Sequence, residues 1–186
     1  DPSRLVANLV KRARVLFVDF SVVDAALRAI PIARACGVPV VADVEICDHP
    51  RLDRLVDAAD HLIIGCELGK EITGEAHPAG MVEKLSHTRA CCAVTAGADG
   101  VWFSVDDGKV QHCPAYSVPV VDTTGCGDVF HGAYVACLAD DADHQRAIVF
   151  AAAAAALKAT QAGGRAGIPD QIAVRRFLIE RGISCP

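Results

Sequence analysis

Val120-Val121-Asp122-Thr123-Thr124-Gly125-Cys126-Gly127-Asp128-Val129-Phe130-His131-Gly132-Ala133-Tyr134 is the stretch that decides the fold. Val118, Val120 and Val121 form a β-branched run that predicts the end of a strand. Gly125 and Gly127 then let the backbone bend tightly and approach a ligand with no Cβ in the way. From Asp128 the apolar positions Val129, Ala133, Ala136 and Cys137 recur with helical spacing, so the turn is predicted to open a helix. Unpaired N–H groups and the positive end of the helix dipole favour an anion there. A carboxylate at Asp128 would repel bound phosphate if binding were the only task. It gains a purpose if Asp128 accepts the proton of an attacking hydroxyl while the N–H groups absorb charge on a transferring phosphoryl group. The plainer alternative is a helix cap on an ordinary glycine turn.

Working outward, Val15-Leu16-Phe17-Val18-Asp19 predicts a strand, Val22 to Cys36 a helix closed by Gly37, and Val38 to Asp43 the next strand. A helix over Pro50 to Ala59 and a strand over His61 to Ile64 complete a β-α-β-α-β alternation. That pattern implies parallel pairing with right-handed crossovers. Ligands of such sheets bind beyond the carboxyl ends of the strands, which makes Asp43 and Glu45 site candidates, with a solvated loop acid as the alternative for Glu45. Ala90 to Thr95 is a further strand, and Val101 to Val105 pairs with Lys109 to Cys113 through a turn at Asp106-Asp107-Gly108. His144 to Thr160 is a helix carrying six consecutive alanines, Ala151 to Ala156, and Asp170 to Arg181 is a terminal helix. Trp102, the only tryptophan, is assigned to packing rather than base stacking. Gly65 to Lys70 fails as a P-loop, because its spacing is G-x-x-x-G-K followed by Glu.

The 186 residues fit one α/β domain, and 52% apolar content with few aromatics suits closely packed helices on a buried sheet. A net charge of −5 argues against a nucleic-acid surface, and the short basic run Lys11-Arg12-Ala13-Arg14 is a solvated helix end. No stretch approaches the roughly 20 apolar residues of a membrane span, and there is no secretory pattern. Nine cysteines, at 36, 47, 66, 91, 92, 113, 126, 137 and 185, show no C-x-x-C pair and no zinc spacing. They are expected to be reduced, mostly buried thiols of a cytoplasmic protein.

Asp122-Thr123-Thr124-Gly125-Cys126-Gly127-Asp128-Val129-Phe130-His131-Gly132-Ala133 closely resembles the C-terminal signature of the ribokinase-like (pfkB-type) carbohydrate kinases, D-T-x-G-[AG]-G-D-x-F-x-[GA]. The resemblance implies a three-layer α/β/α, Rossmann-like fold with a mainly parallel sheet and a late β-hairpin. It implies Asp128 as catalytic base, with the amides of Gly125, Cys126 and Gly127 as the anion hole. Asp122 and Thr124 would lie near a monovalent cation, K+, with the loop Gly163 to Gly167 supplying further oxygens; Gly167 stands where some relatives offer a hydroxyl. Thr95 and Gly97 match the family's T-x-G before its hairpin, so Thr95, Gly97, Gly100 and Thr124 are expected near the nucleotide. Ala152 stands where relatives often place Asn or His near the base. Residues 59–74 resemble the family stretch A-D-x-L-x-x-N-x-x-E, whose Asn and Glu serve the Mg2+–phosphate network. Here Gly65 and Leu68 occupy those two positions, leaving Glu67, displaced by one, as the metal candidate.

By the same resemblance the substrates are ATP and a furanose or ketohexose-like sugar, and Ala-Leu-Lys…Gly-Gly-Arg-Ala-Gly-Ile-Pro points weakly to the ketohexose branch. Family members are longer, so residues 1–186 would be the C-terminal nucleotide-binding and catalytic part of a longer kinase, without the lid through which relatives often form homodimers. Two other classes compete. A dinucleotide-binding oxidoreductase is disfavoured because Gly125-Cys126-Gly127 is followed by Gly132, which breaks G-x-G-x-x-G. A non-catalytic sugar or nucleotide sensor draws on the changes at Gly65, Leu68 and Ala152, against an intact Asp128. Cys126 departs from the motif's Ala or Gly. It is either a thiol activated by the helix N-terminus or a small packed residue.

Overall fold

The computed structural model describes residues 2–45, 48–106 and 108–183, without the side chains of 2–5. Cys47, Asp107 and Cys185, which entered the cysteine and hairpin readings, lie outside the described residues. Two compact units are present: one runs to Ala96 and includes Trp102–Gln111, the other comprises Gly97–Val101 and the chain from His112.

The first unit contains α1 (Pro2–Arg12), β1 (Leu16–Asp19), a short 3-10 turn (Phe20–Val22), α2 (Val23–Ala35), β2 (Val40–Val44), α3 (Leu52–Ala58), β3 (His61–Gly65), α4 (Cys66–Thr73), α5 (Pro78–Leu85) and β4 (Cys91–Thr95). β1 to β4 pair in parallel and in chain order, with Asp19 opposite Asp43 and Gly65 opposite Thr95. Their carboxyl ends therefore share one edge. Val40, Ala42, Val44, Leu62, Ile64, Cys92 and Val94 pack with Val23, Ile30, Leu55, Leu68 and Met81 in one core. The alternate positions Val41, Ile63 and Ala93 are fully buried as well, which is why these strands read as nearly continuous apolar runs. Asp60 links two strand starts: its carboxylate accepts the Val40 N–H at 2.9 Å, and its own N–H donates to the Val40 carbonyl at 3.1 Å.

β5 (Val101–Val105) and β6 (Val110–Cys113) complete a six-stranded sheet in the order β1 to β6. The Asp106 N–H donates to the Ala90 carbonyl, so the end of β5 lies beside the start of β4 and the two run antiparallel. The sheet is thus mixed and mainly parallel, with the late hairpin in place. Trp102 sits edge-on to His77, ring centroids 5.4 Å apart, as packing. α4 and α5 fall where no helix was expected. Gly74, left-handed at φ 72°, ends α4, and Pro78 opens α5 behind a His77 side chain that accepts the Ala79 N–H.

The second unit is built on α6 (Cys126–Ala139), α7 (His144–Ala159) and α8 (Gln171–Ile179), the last capped by Asp170, whose carboxylate accepts the Ala173 N–H. Ala147, Ala151, Ala153 and Ala154 of α7 are buried, their small side chains allowing close packing. The strand expected to end at Val121 is not formed. Pro114 and Pro119 have no N–H to give a ladder, the Val121 and Asp122 N–H groups both donate to the Ala159 carbonyl, and Val120 and Val121 are 63% exposed.

Candidate active site

The turn before α6 is assembled by local hydrogen bonds. The Asp122 carboxylate accepts the Thr124 N–H at 2.8 Å. The Cys126 N–H then donates to the Thr123 carbonyl at 3.1 Å, closing a four-residue turn with Gly125 at its third position. Gly125 has φ 75° and ψ 9°, the dihedrals a type II turn demands there and that glycine adopts at least cost. A Cβ on Gly125 would lie 3.0 Å from the Gly164 carbonyl oxygen, so the loop after α7 rests directly on this glycine. Of the three expected anion-hole amides, that of Cys126 points into the turn it closes. The Gly125 and Gly127 N–H groups have no acceptor among the described residues. Asp128 follows in the first turn of α6, with its side chain exposed.

Behind the turn lies a brace whose parts are far apart in sequence. The second Asp122 carboxylate oxygen accepts the Gly163 N–H at 2.7 Å. The Thr124 hydrogen bonds first, then that of Gly163 and the nearby Lys158 ammonium, hold the Asp122 carboxyl down at about pH 2. Lys158, in the last turn of α7, is completely buried. Its Nζ donates to the Asp122 carbonyl at 2.9 Å and to the Gln161 carbonyl at 3.4 Å. On the other side, His131 Nδ1 lies 2.9 Å from the Gly127 carbonyl; a carbonyl can only accept, so this nitrogen carries the proton. Sequence reading missed both residues as parts of the site. A lysine within an alanine-rich helix was the signal for Lys158. For Cys126, burial pushes the thiol pKa up, and the pull of Lys158 only partly opposes this. Burial thus works against the activated-thiol reading of Cys126.

Asp128, Gly132 and Ala136 of α6, Phe150 and Ala154 of α7, and Arg165 of the following loop line an open cleft of about 590 Å³. That size suits a small-molecule ligand. Ala152 does not line it; Phe150 and Ala154, four residues apart, share the lining face of α7, and Ala152 falls between them on another. Gly97 and Gly100 have positive φ, 55° and 91°. A Cβ on Gly100 would meet the Cys113 carbonyl oxygen at 2.3 Å, so close backbone approach alone demands this glycine.

In the first unit, the carboxyl edge of the sheet carries Asp43, half-buried in β2, and Glu45, exposed just after it. Thr95, at the end of β4, donates its hydroxyl to the Ile64 carbonyl at 3.3 Å. Gly65 is exposed with open space where a Cβ would stand. Glu67 is exposed in the first turn of α4, while Leu68 is buried in the core. Among the described residues no group of three or more His, Cys, Asp or Glu side chains could hold a metal ion, and no helix is long and apolar enough to cross a membrane.

A glycine turn with a carboxylate in the following helical turn, in a unit adjoining a mainly parallel sheet's late hairpin in sequence, defines a class, and residues 6–171 match the pfkB family carbohydrate kinase profile. The chain belongs to the pfkB family of carbohydrate kinases. It is 28% identical over 181 residues to a ribokinase of Arabidopsis thaliana, covering 92% of this chain and 47% of that one. Over 105 residues it is 37% identical to a fructokinase of Vibrio alginolyticus, covering 53% of this chain and 34% of the relative. The solved structure of Arabidopsis thaliana ribokinase complexed with ribose and ATP superposes with a TM-score of 0.82 at 26% identity, covering 92% of this chain and 58% of that one. The chain thus spans about half the length of the ribokinase it matches along most of its own length.

Proposed function

We propose that the protein is an ATP-dependent sugar kinase that transfers the γ-phosphoryl group to a hydroxyl of a furanose or ketohexose-like carbohydrate. One observation carries this reading. Asp128 stands exposed in the first turn of α6, directly after a glycine turn whose Gly125 and Gly127 N–H groups have no acceptor among the described residues. In this reading Asp128 takes the proton from the sugar hydroxyl as its oxygen bonds to the γ-phosphorus. The bond from that phosphorus to the bridging oxygen breaks, and ADP leaves. The turn's N–H groups stabilise the charge spread over the transferring group. The related ribokinase bound to ribose and ATP and the related fructokinase support a pentose or ketohexose acceptor.

Magnesium supplies charge neutralisation when it is bound to the nucleotide phosphates. The donor set suits that mode, since a metal carried on phosphates needs only one or two protein carboxylates, and Glu67 is the one offered from α4. Cys36, Cys66, Cys92, Cys113 and Cys126 are free thiols, which supports a reducing, cytoplasmic setting. The buried Leu68 favours the sensor reading, because it removes an acidic group expected in the metal network. A coupled assay of ADP release decides between the two readings. It uses the intact gene product with Mg-ATP and a panel of pentoses, ketohexoses and nucleosides. Turnover above that of Asp128→Asn with one of these sugars is the expected result. ATP binding without turnover on any acceptor would overturn the kinase reading.

A further inference from the structure

The resemblance implies a monovalent cation beside Asp122 and Thr124, and the residues present do not fit one. Both Asp122 carboxylate oxygens already accept N–H groups, from Thr124 at 2.8 Å and Gly163 at 2.7 Å. The Asp122 and Gln161 carbonyls, the kind of oxygens that cradle an alkali ion, accept the Lys158 ammonium at 2.9 and 3.4 Å. Gly167, where some relatives offer a hydroxyl, has no room for one. A Cβ there would lie 2.5 Å from the Gln161 Cβ and 3.1 Å from the Lys158 carbonyl oxygen.

The place expected for a cation thus holds a positive charge on a covalent tether. Lysine is almost never fully buried unless its charge is answered, and here it is completely buried. Three features answer it: the two carbonyls, the nearby Asp122 carboxylate, and the negative end of α7, in whose last turn Lys158 sits. An ammonium is a compact monovalent charge with three donors, so it can replace a bound alkali ion electrostatically without needing a filled coordination sphere. It also joins the two segments that shape the phosphate turn. Through the Asp122 carbonyl it holds the segment entering the turn, and through the Gln161 carbonyl it holds the loop that rests on Gly125.

We propose that Lys158 is the resident cation of the phosphate-binding turn, a positioning residue that makes phosphoryl transfer by this protein independent of added monovalent cations. The proposal rests on the kinase reading for its rate consequences but not for its binding consequences, and the test separates the two. The intact gene product is compared in potassium chloride and in tetramethylammonium chloride at matched ionic strength, as wild type and as Lys158→Met. For the wild type, turnover and melting temperature are expected to be the same in both salts. For Lys158→Met in tetramethylammonium, kcat should fall about 10- to 100-fold, the scale of a lost charge-assisted hydrogen bond, with the KM for sugar little changed. Potassium or ammonium should restore much of that loss and raise the variant's melting temperature, two responses that a lysine serving only as packing would not produce.

Wild-type activation by potassium of tenfold or more would overturn the proposal, as would a potassium-dependent rise in the wild-type melting temperature. A folded Lys158→Met that is indifferent to potassium in both readouts would do the same. Should the variant fail to fold, the wild-type comparison still decides. Should no sugar be phosphorylated, the kinase reading falls, and the melting comparison still reports whether the turn takes up an ion.

Discussion

Two helices of this protein begin alike. α4 opens as Gly65-Cys66-Glu67 and α6 as Gly125-Cys126-Gly127-Asp128, each with a glycine N-cap, a cysteine in the first helical position and a carboxylate in the first turn. Their surroundings differ. Gly65 has φ −76° and open space about it, and the chain reaches α4 straight from β3, where the Thr95 hydroxyl donates to the Ile64 carbonyl. Gly125 is left-handed, lies under the Gly164 carbonyl, and follows a segment fixed by the Asp122 carboxylate and the Lys158 ammonium. A helix N-terminus is a generic anion-binding end, but a catalytic one must hold its donors in place before the charge develops. At α6 the approach is held by two charged side chains distant in sequence from each other, Asp122 and Lys158, whereas at α4 it is held by strand pairing and the Thr95 hydroxyl.

The largest expected difference is therefore between the two carboxylates. Asp128→Asn should lower kcat by about 10²–10⁴, the range for a lost acid–base group, with ATP affinity kept or improved because a negative charge beside phosphate is removed. Glu67→Gln should cost no more than about tenfold in kcat/KM, about 1.4 kcal/mol, since an exposed carboxylate acts through water-screened electrostatics. Steady-state kinetics of both variants under one set of conditions measures the contrast. Equal losses would mean that α4 carries as much of the chemistry as α6.

The glycines sharpen the same contrast in stability. Gly125→Ala places a Cβ in the left-handed region, a cost of about 1–2 kcal/mol, and adds a 3.0 Å contact with a backbone oxygen that cannot swing away. Gly65→Ala meets nothing within 4 Å. There the weaker capping of alanine and the stiffer unfolded chain oppose one another, leaving the change within about 0.5 kcal/mol of zero. Urea unfolding midpoints of the two variants test the pair. A Gly125→Ala protein as stable as wild type would show that the turn is not held as tightly as its geometry implies.

Acid should loosen the α6 turn in a defined window. The Asp122 carboxyl titrates at about 2 in the fold against about 3.9 in an unfolded chain, so its contribution is fully present above pH about 4 and is lost as the pH falls toward 2. Wild type should then lose more stability between those limits than Asp122→Asn, which begins less stable at neutral pH. Melting temperatures of the two proteins across the window supply the difference, since the other carboxylates are common to both. Parallel curves would remove Asp122 from the brace.

How far the sequence could be read follows the same division between local and distant causes. The parallel strands were legible because burial on both faces writes itself as apolar runs such as Val40-Val41-Ala42, and the α6 start because Gly125 and Asp128 are neighbours. The strand expected at Val118 to Val121 was misread: β-branching is a local signal, but the hydrogen bonds of Val121 and Asp122 go to Ala159, a partner no local pattern discloses. α4 and α5 were overlooked although Gly74, Pro78 and His77 carry ordinary helix-boundary signals. Gly100, expected near the nucleotide, has a further reason to be glycine that no local pattern shows, the chain at Cys113 to Ala115 lying against it. Lys158 lies 36 residues from its main partner, so sequence spacing gave no hint of the brace.

The smallest effect concerns the cysteine that opens α6. A helix N-terminus favours a thiolate, so position alone would make Cys126 reactive. At Cys126 burial works in the other direction and lifts the thiol pKa, the Lys158 charge only partly opposing it. Cys92, fully buried, is pushed higher still, to about 12. Iodoacetamide at neutral pH should therefore label the exposed Cys36 ahead of Cys126 and leave Cys92 unmodified in the folded protein. Peptide mass spectrometry over a time course gives the order directly. Cys126→Ala, which restores the residue the motif usually carries, should retain near wild-type turnover, because the Cys126 N–H closes the turn whatever side chain it bears. Should one equivalent of reagent instead abolish activity, with ATP slowing the loss and Cys126→Ala resisting it, the helix end would outweigh burial. Cys126 would then be a reactive group at the phosphate turn, not packing beneath it.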